Sequence, residues 1–335
     1  MSRHAHIALA IGLAMVGLLA IFLNVDRKPE PVVVKLNAGP AQPRLPVGEA
    51  GLDPAALANA VEYADQRRTS ALVVGRGGHI VFEKYWNGTT FDTPVAPGFD
   101  PALVALLVGT ALDDRIVHSL DEPLSNYLPE LDAAEGAVSI REALAGDRVE
   151  LPTGRATDLV ALMLEHVTRQ PYEKLVAERL WRRVEGGDLE FQRQTGKLRP
   201  QGVNTSCCVR ARLGDWMRVG EILATGGNFE GAQVVPPHFV GMMVKPAHKE
   251  SPRGYFMRVD GTFAAPDVAR LEGPDEQRMW IVPSLQLVIL RLGDAPGKSA
   301  GWDEAMIPDS IIRGTSGWQP HAAGEGVDPS RYAPH

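Results

Sequence analysis

The chain has 335 residues, 44% hydrophobic and 22% charged, values ordinary for a globular protein with a sizeable core in one large domain or two small ones. Its 34 basic and 41 acidic residues leave a net charge of −7, which argues against nucleic acid as a partner because phosphate binding needs a basic face. There is no internal repeat and no long charge run.

The first segment stands apart. Residues 7–23, "IALAIGLAMVGLLAIFL", form an apolar and glycine run without a charge. As a helix it spans about 26 Å, near the lower limit for a bilayer crossing. A cleaved signal has a shorter apolar core and a small-residue cleavage site, and the following "NVDRKPEP" lacks that pattern. The expectation is an N-terminal membrane anchor over residues 1–28, a single inner-membrane pass with the rest of the chain periplasmic or extracellular. Arg3 on one side and Arg27 and Lys28 on the other nearly balance. The orientation therefore rests on a short leader before a long domain behaving as a signal-anchor. Residues 29–48 carry prolines at 29, 31, 40, 43 and 46 and read as a semi-extended linker.

A domain over residues 49–317 follows. "LDPAALANAVEYADQRR" predicts a helix capped by Asp53, with Pro54 at its first position. "SALVVGRGGHIVFEKYW" predicts a hairpin about Gly77-Gly78. "ALVALLVGTALDDRIV" predicts a central apolar helix, and Asp100-Pro101 before it an N-cap and a first helical residue. "SIREALAG" predicts a short helix capped by Ser139. Residues 157–184 predict two helices parted at Gln170-Pro171. "DWMRVGEILATGG" predicts one capped by Asp215 and stopped at Gly226-Gly227. "PPHFVGMMVKP" predicts a short helix. "QRMWIVPSLQLVILRLG" predicts two strands about a Pro-Ser turn, and "WDEAMIPDSIIRG" a closing helix that packs on them. Residues 318–335 are polar and Gly/Pro-rich, and are expected to be disordered. Strands at both ends of the domain and helices between them give an α+β class, an antiparallel sheet built from both ends with a helical insert. The transmembrane helix precedes it.

The adjacent Cys207 and Cys208 read as two buried thiols on a strand, since neighbouring cysteines seldom bridge and their spacing suits no zinc site. His118, His166, His238 and His248 are scattered without metal spacing. Neither a metal nor a cofactor is expected.

The element order and several phrases resemble the beta-lactamase-related serine hydrolases, a family of class C beta-lactamases, penicillin-binding-protein-like peptidases, esterases and amide hydrolases. "LVVGRGGHIVFEKYWNG" is similar to the family's first strand pair, and "ALVALLVGTALDDRIVHSLDEPLSNYLPEL" to its nucleophile helix and the loop after it. "CCVRARLGDWMRVGEILATGGNFEGAQVVPPHFVGMM" is similar to its late helical segment, and "EQRMWIVPSLQLVILRLG" to its last strand pair. The resemblance covers about residues 52–315. It implies a Ser-x-x-Lys pair at the start of the central helix, in which the lysine helps deprotonate an acylating serine. It also implies a Tyr-x-Asn turn, and a Lys-Thr-Gly or His-x-Gly strand that lines the pocket and supports the oxyanion.

None of the three stands where the resemblance places it. The serine and lysine positions are Gly98 and Pro101. Neither a tyrosine nor an asparagine lies between Ala143 and Glu165, and the third motif reads Glu272-Gly273-Pro274-Asp275-Glu276. No serine occurs between Thr93 and Val117. Ser119, Ser125 and Ser139 read as loop or cap residues, and "QTGKLRP" (194–200) as a reversed Lys-Thr-Gly lying between helices. Asp100, Glu272, Asp275 and Gln277 remain as candidate pocket residues. Glu272, Asp275, Glu276 and Asp267 form a local acidic cluster, which in a pocket favours a cationic ligand. The expectation is a catalytically degenerate hydrolase fold that binds or scaffolds a cell-envelope component or partner protein. The alternative is an active serine hydrolase of an ester, amide or beta-lactam with a relocated nucleophile. The oligomeric state is left open.

Overall fold

The Gly77-Gly78 hairpin opens a six-stranded antiparallel sheet to which both halves of the chain contribute. The computed structural model describes residues 29–146, 151–194, 202–248, 251–259, 261–297 and 301–320. In chain order the main elements are α1 (Pro54–Asp65), β1 (Thr69–Arg76), β2 (His79–Tyr85), α2 (Asp100–Asp113), α3 (Ile140–Ala145) and α4 (Thr153–Thr168). There follow α5 (Leu213–Ala224), α6 (Pro237–Met243), β3 (Arg258–Val259), β4 (Ala269–Glu272), β5 (Arg278–Val282), β6 (Leu287–Gly293) and α7 (Met306–Arg313). The strands lie in the order β3-β4-β5-β6-β1-β2, so the early hairpin docks on the last strand, with Leu290 opposite Val73. This is the α+β arrangement expected from the sequence.

The sheet is covered on both faces. Side chains alternate along a strand. Ala71, Val73, Met279, Ile281, Val288 and Leu290 therefore join one core with α2 and α5. Leu72, Val74, Trp280, Val282, Leu287 and Ile289 join another with Leu57 and Ala60 of α1 and Ile307 and Ile311 of α7. Double coverage explains why β6 reads "LVILRL" without polar alternation. Its arginine, Arg291, is fully buried, and it donates to the carbonyls of Arg67, Asp275, Glu276 and Asp294. Burial lowers its pKa to about 10.

α2 is the central helix, with eleven of its fourteen residues buried. Its hydrophobicity all round is what a fully enclosed helix requires. Asp53 caps α1 through the Ala55 N–H, and Ser139 caps α3 in a reciprocal capping box with Glu142. Two predicted caps differ. α2 begins at Asp100, with Phe99 as its N-cap, so Pro101 is the second helical residue. α5 begins at Leu213, which puts Asp215 inside the first turn. There its carboxylate accepts hydrogen bonds from Arg212 and the Gly187 N–H.

The described residues from Val32 onward form one compact unit. Much of the Pro-rich segment lies along it. Val32–Val34 pairs antiparallel with Leu189–Phe191, Pro40 accepts from Arg218, and the Gln42 amide donates to Glu221. At the other end, the Trp318 indole donates to the Ala264 carbonyl at 2.9 Å. No helix among the described residues is long and apolar enough to cross a membrane. The 7–23 run, residues 195–200 of the "QTGKLRP" stretch and the tail from 321 lie outside the described residues.

Candidate functional site

The place the resemblance assigns to a nucleophile is occupied by backbone. Gly98 takes a left-handed φ of +81°, and a Cβ on it would stand 2.7 Å from Pro274 Cδ and 3.3 Å from Gly273 Cα. From the opposite side, a Cβ on Gly273 would stand 1.7 Å from the Pro97 carbonyl oxygen. The turn before α2 and the turn between β4 and β5 thus close on each other, and only glycine admits the approach. Pro101 supplies no amine, and its ring helps line a cavity beside the closed turns.

Asp100 is not the helix cap the sequence suggested. Its carboxyl is fully buried and takes a hydrogen bond from its own backbone N–H. Oδ1 accepts the Val209 N–H at 2.6 Å, and the Cys208 N–H also bonds the carboxyl. Oδ2 has no hydrogen-bond partner. Burial dominates these hydrogen bonds and raises the pKa to about 7. Asp100 therefore ties the start of α2 to the chain at 208–209.

That chain carries the second correction. Cys207 and Cys208 form a disulfide with each other, in a bend rather than a strand. Cys208 adopts a φ of +77°, which brings the two neighbouring side chains to one side of the backbone. The Asn204 side chain holds the bend, accepting from the Ser206 and Cys207 N–H groups. Both cysteines are half-buried.

The cavity beside Pro101 measures about 190 Å³. It is bordered by Ala145 and Gly146 at the end of α3, Thr153 at the start of α4, Arg253, Phe256, Met257 and Arg258 around β3, and Arg270 and Glu272 on β4. No serine, cysteine, lysine or histidine is among these residues, and Thr153 provides the single hydroxyl. Arg258 and Arg270 are direct cross-strand partners, a like-charge pairing that is unfavourable unless an anion lies between them. Glu272 is that anion, 2.9 Å from Arg270 and 3.9 Å from Arg258. Glu304 also pairs with Arg270, at 3.1 Å.

Of the four candidate pocket residues, Glu272 borders the cavity, where it is joined by Pro101 from the lysine position. Asp100, Asp275 and Gln277 are not brought to it. Asp275 is an exposed turn residue with φ +57°, and its carbonyl accepts from Arg291. Gln277 closes the same turn through its N–H to the Pro274 carbonyl. The acidic cluster is dispersed as well. Glu276 pairs with Arg278, and the Asp267 carboxylate accepts from the Ser284 N–H and hydroxyl. Arginines meet the Glu272 and Glu276 carboxylates, which reduces the negative charge the run presents. Sequence reasoning missed Arg253, Arg258, Arg270 and Arg291. A signal was present for two of them. Arg270 and Glu272 are two apart on a strand and so share a face, and Arg291 interrupts an apolar strand.

No protein-family model matches the chain, and no curated protein matches it in sequence. Solved structures match it in fold. A Bacillus anthracis protein assigned as a 6-aminohexanoate-dimer hydrolase is 15% identical with a TM-score of 0.64, over 80% of this chain and 86% of that one. A penicillin-binding-protein homologue from Caulobacter crescentus is 13% identical with a TM-score of 0.58, over 78% and 96%. A class C beta-lactamase from Rhodobacter sphaeroides is 13% identical with a TM-score of 0.56, over 77% and 97%. The chain has the fold of the beta-lactamase-related serine hydrolases, as the sequence resemblance implied.

Proposed function

We propose that the protein is a membrane-anchored binding or scaffolding protein of the cell envelope, built on a serine hydrolase fold from which the acyl-transfer apparatus has been lost. The observation that carries this reading is the contact between Gly98 and Pro274, which leaves a Cβ only 2.7 Å from the proline ring. A nucleophile needs a side chain at this seat and a base within hydrogen-bond reach. Pro101 at the lysine position and the absence of any amine or imidazole among the described residues around the adjoining cavity support the same reading. Glu272, the one carboxylate among the described residues of the cavity, is engaged by arginines and is poorly placed as a free base. The apolar run at residues 7–23 supports anchoring, with the domain on the periplasmic or extracellular side.

Acylating probes test the reading. The purified full-length chain in detergent, incubated with a fluorophosphonate or a fluorescent penicillin, is expected to take no saturable covalent label while remaining folded by circular dichroism. Saturable labelling would establish a relocated nucleophile and overturn the proposal. The double variant Gly98→Ser with Pro101→Lys is expected to gain no labelling. It should lose about 1–3 kcal/mol of stability, because a side chain is forced into a left-handed backbone and against Pro274.

A further inference from the structure

We propose that the cavity at the start of α2 is an oxyanion site, which takes the carboxylate or phosphate group of a small molecule on Arg253 and Arg258. The assignment rests on the reading that this cleft binds rather than cuts, and it supplies the chemistry of what is bound.

Charge is the first argument. Among the described residues three arginines and one glutamate border the cavity, an excess of two positive charges in a chain whose net charge is −7. Glu272 offsets part of that charge and leaves Arg253 without a carboxylate among the described residues. It lies at hydrogen-bonding distance from Arg270, at 2.9 Å, but 3.9 Å from Arg258. The buried Arg258 Nε has no hydrogen-bond partner. The Arg258 guanidinium is left with Glu272 at 3.9 Å, and an oxyanion in the cavity would add charge compensation.

Arg253 is the second argument. It is half-buried at the cavity wall, and its guanidinium takes no hydrogen bond or ion pair among the described residues. Its backbone is fixed, since residue 253 bridges residue 258 antiparallel and its N–H bonds the Ser251 hydroxyl. The two arginines therefore flank one space from neighbouring points of a single short ladder. Guanidinium groups hold carboxylate and phosphate oxygens in pairs, which gives orientation as well as attraction.

Size is the third. At about 190 Å³ the cavity holds a head group rather than a polymer. It shares Arg258, Arg270 and Glu272 with a wider groove of about 730 Å³ that runs to Tyr63 and Trp302. The remainder of a ligand has room there. In the groove the charges balance, with four arginines against four carboxylates, so the positive excess is confined to the inner end.

Calorimetric titration of the full-length chain in detergent, with succinate and with inorganic phosphate at low salt, tests the assignment. Saturable binding of at least one probe is expected, weakening as salt is raised. Succinate alone identifies a carboxylate ligand, phosphate alone a phosphate, and both confirm the shared oxyanion chemistry. Arg253→Ala and Arg258→Gln should each weaken binding about tenfold, the loss of a charge-assisted hydrogen bond. Arg253→Ala should leave the melting temperature of the unliganded protein unchanged, so lost binding is not lost folding. Failure of both probes up to about 10 mM, a concentration that reaches even affinities near the millimolar range, would overturn the site. So would equal binding by wild type and both variants. Either result in a protein that also resists acylating probes removes the oxyanion assignment and leaves the binding reading standing. Covalent labelling removes the latter.

Discussion

Asp100 holds a carboxyl group with one oxygen bonded to the Val209 N–H and the other unpartnered in the core. Its pKa of about 7 lies above the ordinary value of 3.8, and burial is the main cause. Between those two values the folded chain holds a proton that the unfolded chain releases. This contribution to stability is therefore complete below about pH 4 and declines as pH rises toward 7. Asp100→Asn keeps an acceptor for Val209 and carries no charge. The variant is expected to lose the decline between pH 4 and 7 and to be more stable than wild type by a few kcal/mol near pH 8. Denaturant melts across that range check it, and parallel pH profiles of the two proteins would refute it. The sequence announced Asp100 as a helix cap because Asp-Pro is a strong local start signal. The bond to residue 209, 109 positions away, is beyond any local signal.

Among the elements, α2 and α6 show how close packing reverses a local preference. Gly109 sits in the interior of α2, where glycine costs roughly 0.5–1 kcal/mol against alanine. Phe239 and Val235 leave no room for more, since a Cβ on Gly109 would lie 2.5 Å and 2.8 Å from them. Gly109→Ala is expected to destabilise the protein by about 1–3 kcal/mol, because overpacking outweighs the gain in helix propensity. Thermal unfolding checks the sign, and a raised melting temperature would refute it. The helix itself was legible from its unbroken apolar run. That Gly109 is its contact with α6 was not, because contact between helices is a property of two sequence segments at once. The Cys207-Cys208 pair belongs to the same class. Its spacing argued for free thiols, and the bend held by Asn204, with Cys208 in a left-handed conformation, allows the bridge.

For the whole molecule, the proposed anchor and the described domain make separate claims. If residues 7–23 hold the chain in a bilayer, full-length protein should sediment with membranes and resist extraction by high salt. A chain lacking residues 1–28 should appear in the soluble fraction with an unchanged thermal midpoint, since the described residues from Val32 onward form a compact unit. Soluble full-length protein would refute the anchor without touching the fold. The fold is common to structures described as a beta-lactamase and a penicillin-binding-protein homologue, and a shared fold does not carry a shared reaction. The proposed loss of acyl transfer rests on the closed turns at Gly98 and Pro274.

By itself the sequence determined the elements that follow from periodicity and punctuation. These are the Gly77-Gly78 hairpin, the apolar helix at 100–113, the last strand pair and the closing helix. Their order at the two ends of the domain was enough for the sheet. It also determined that Gly98 and Pro101 lack a hydroxyl and an amine, since residue identity needs no coordinates. Tertiary structure decided what fills those places and what surrounds them. Pro274 against Gly98, Arg258 opposite Arg270 and Arg253 beside the cavity join segments up to 176 residues apart in the chain. Charge shows the difference most plainly. Along the sequence Glu272, Asp275 and Glu276 make an acidic run. In space the arginines of β3, β4 and β5 lie across from it, and the described residues at the inner end of the cleft carry a positive excess.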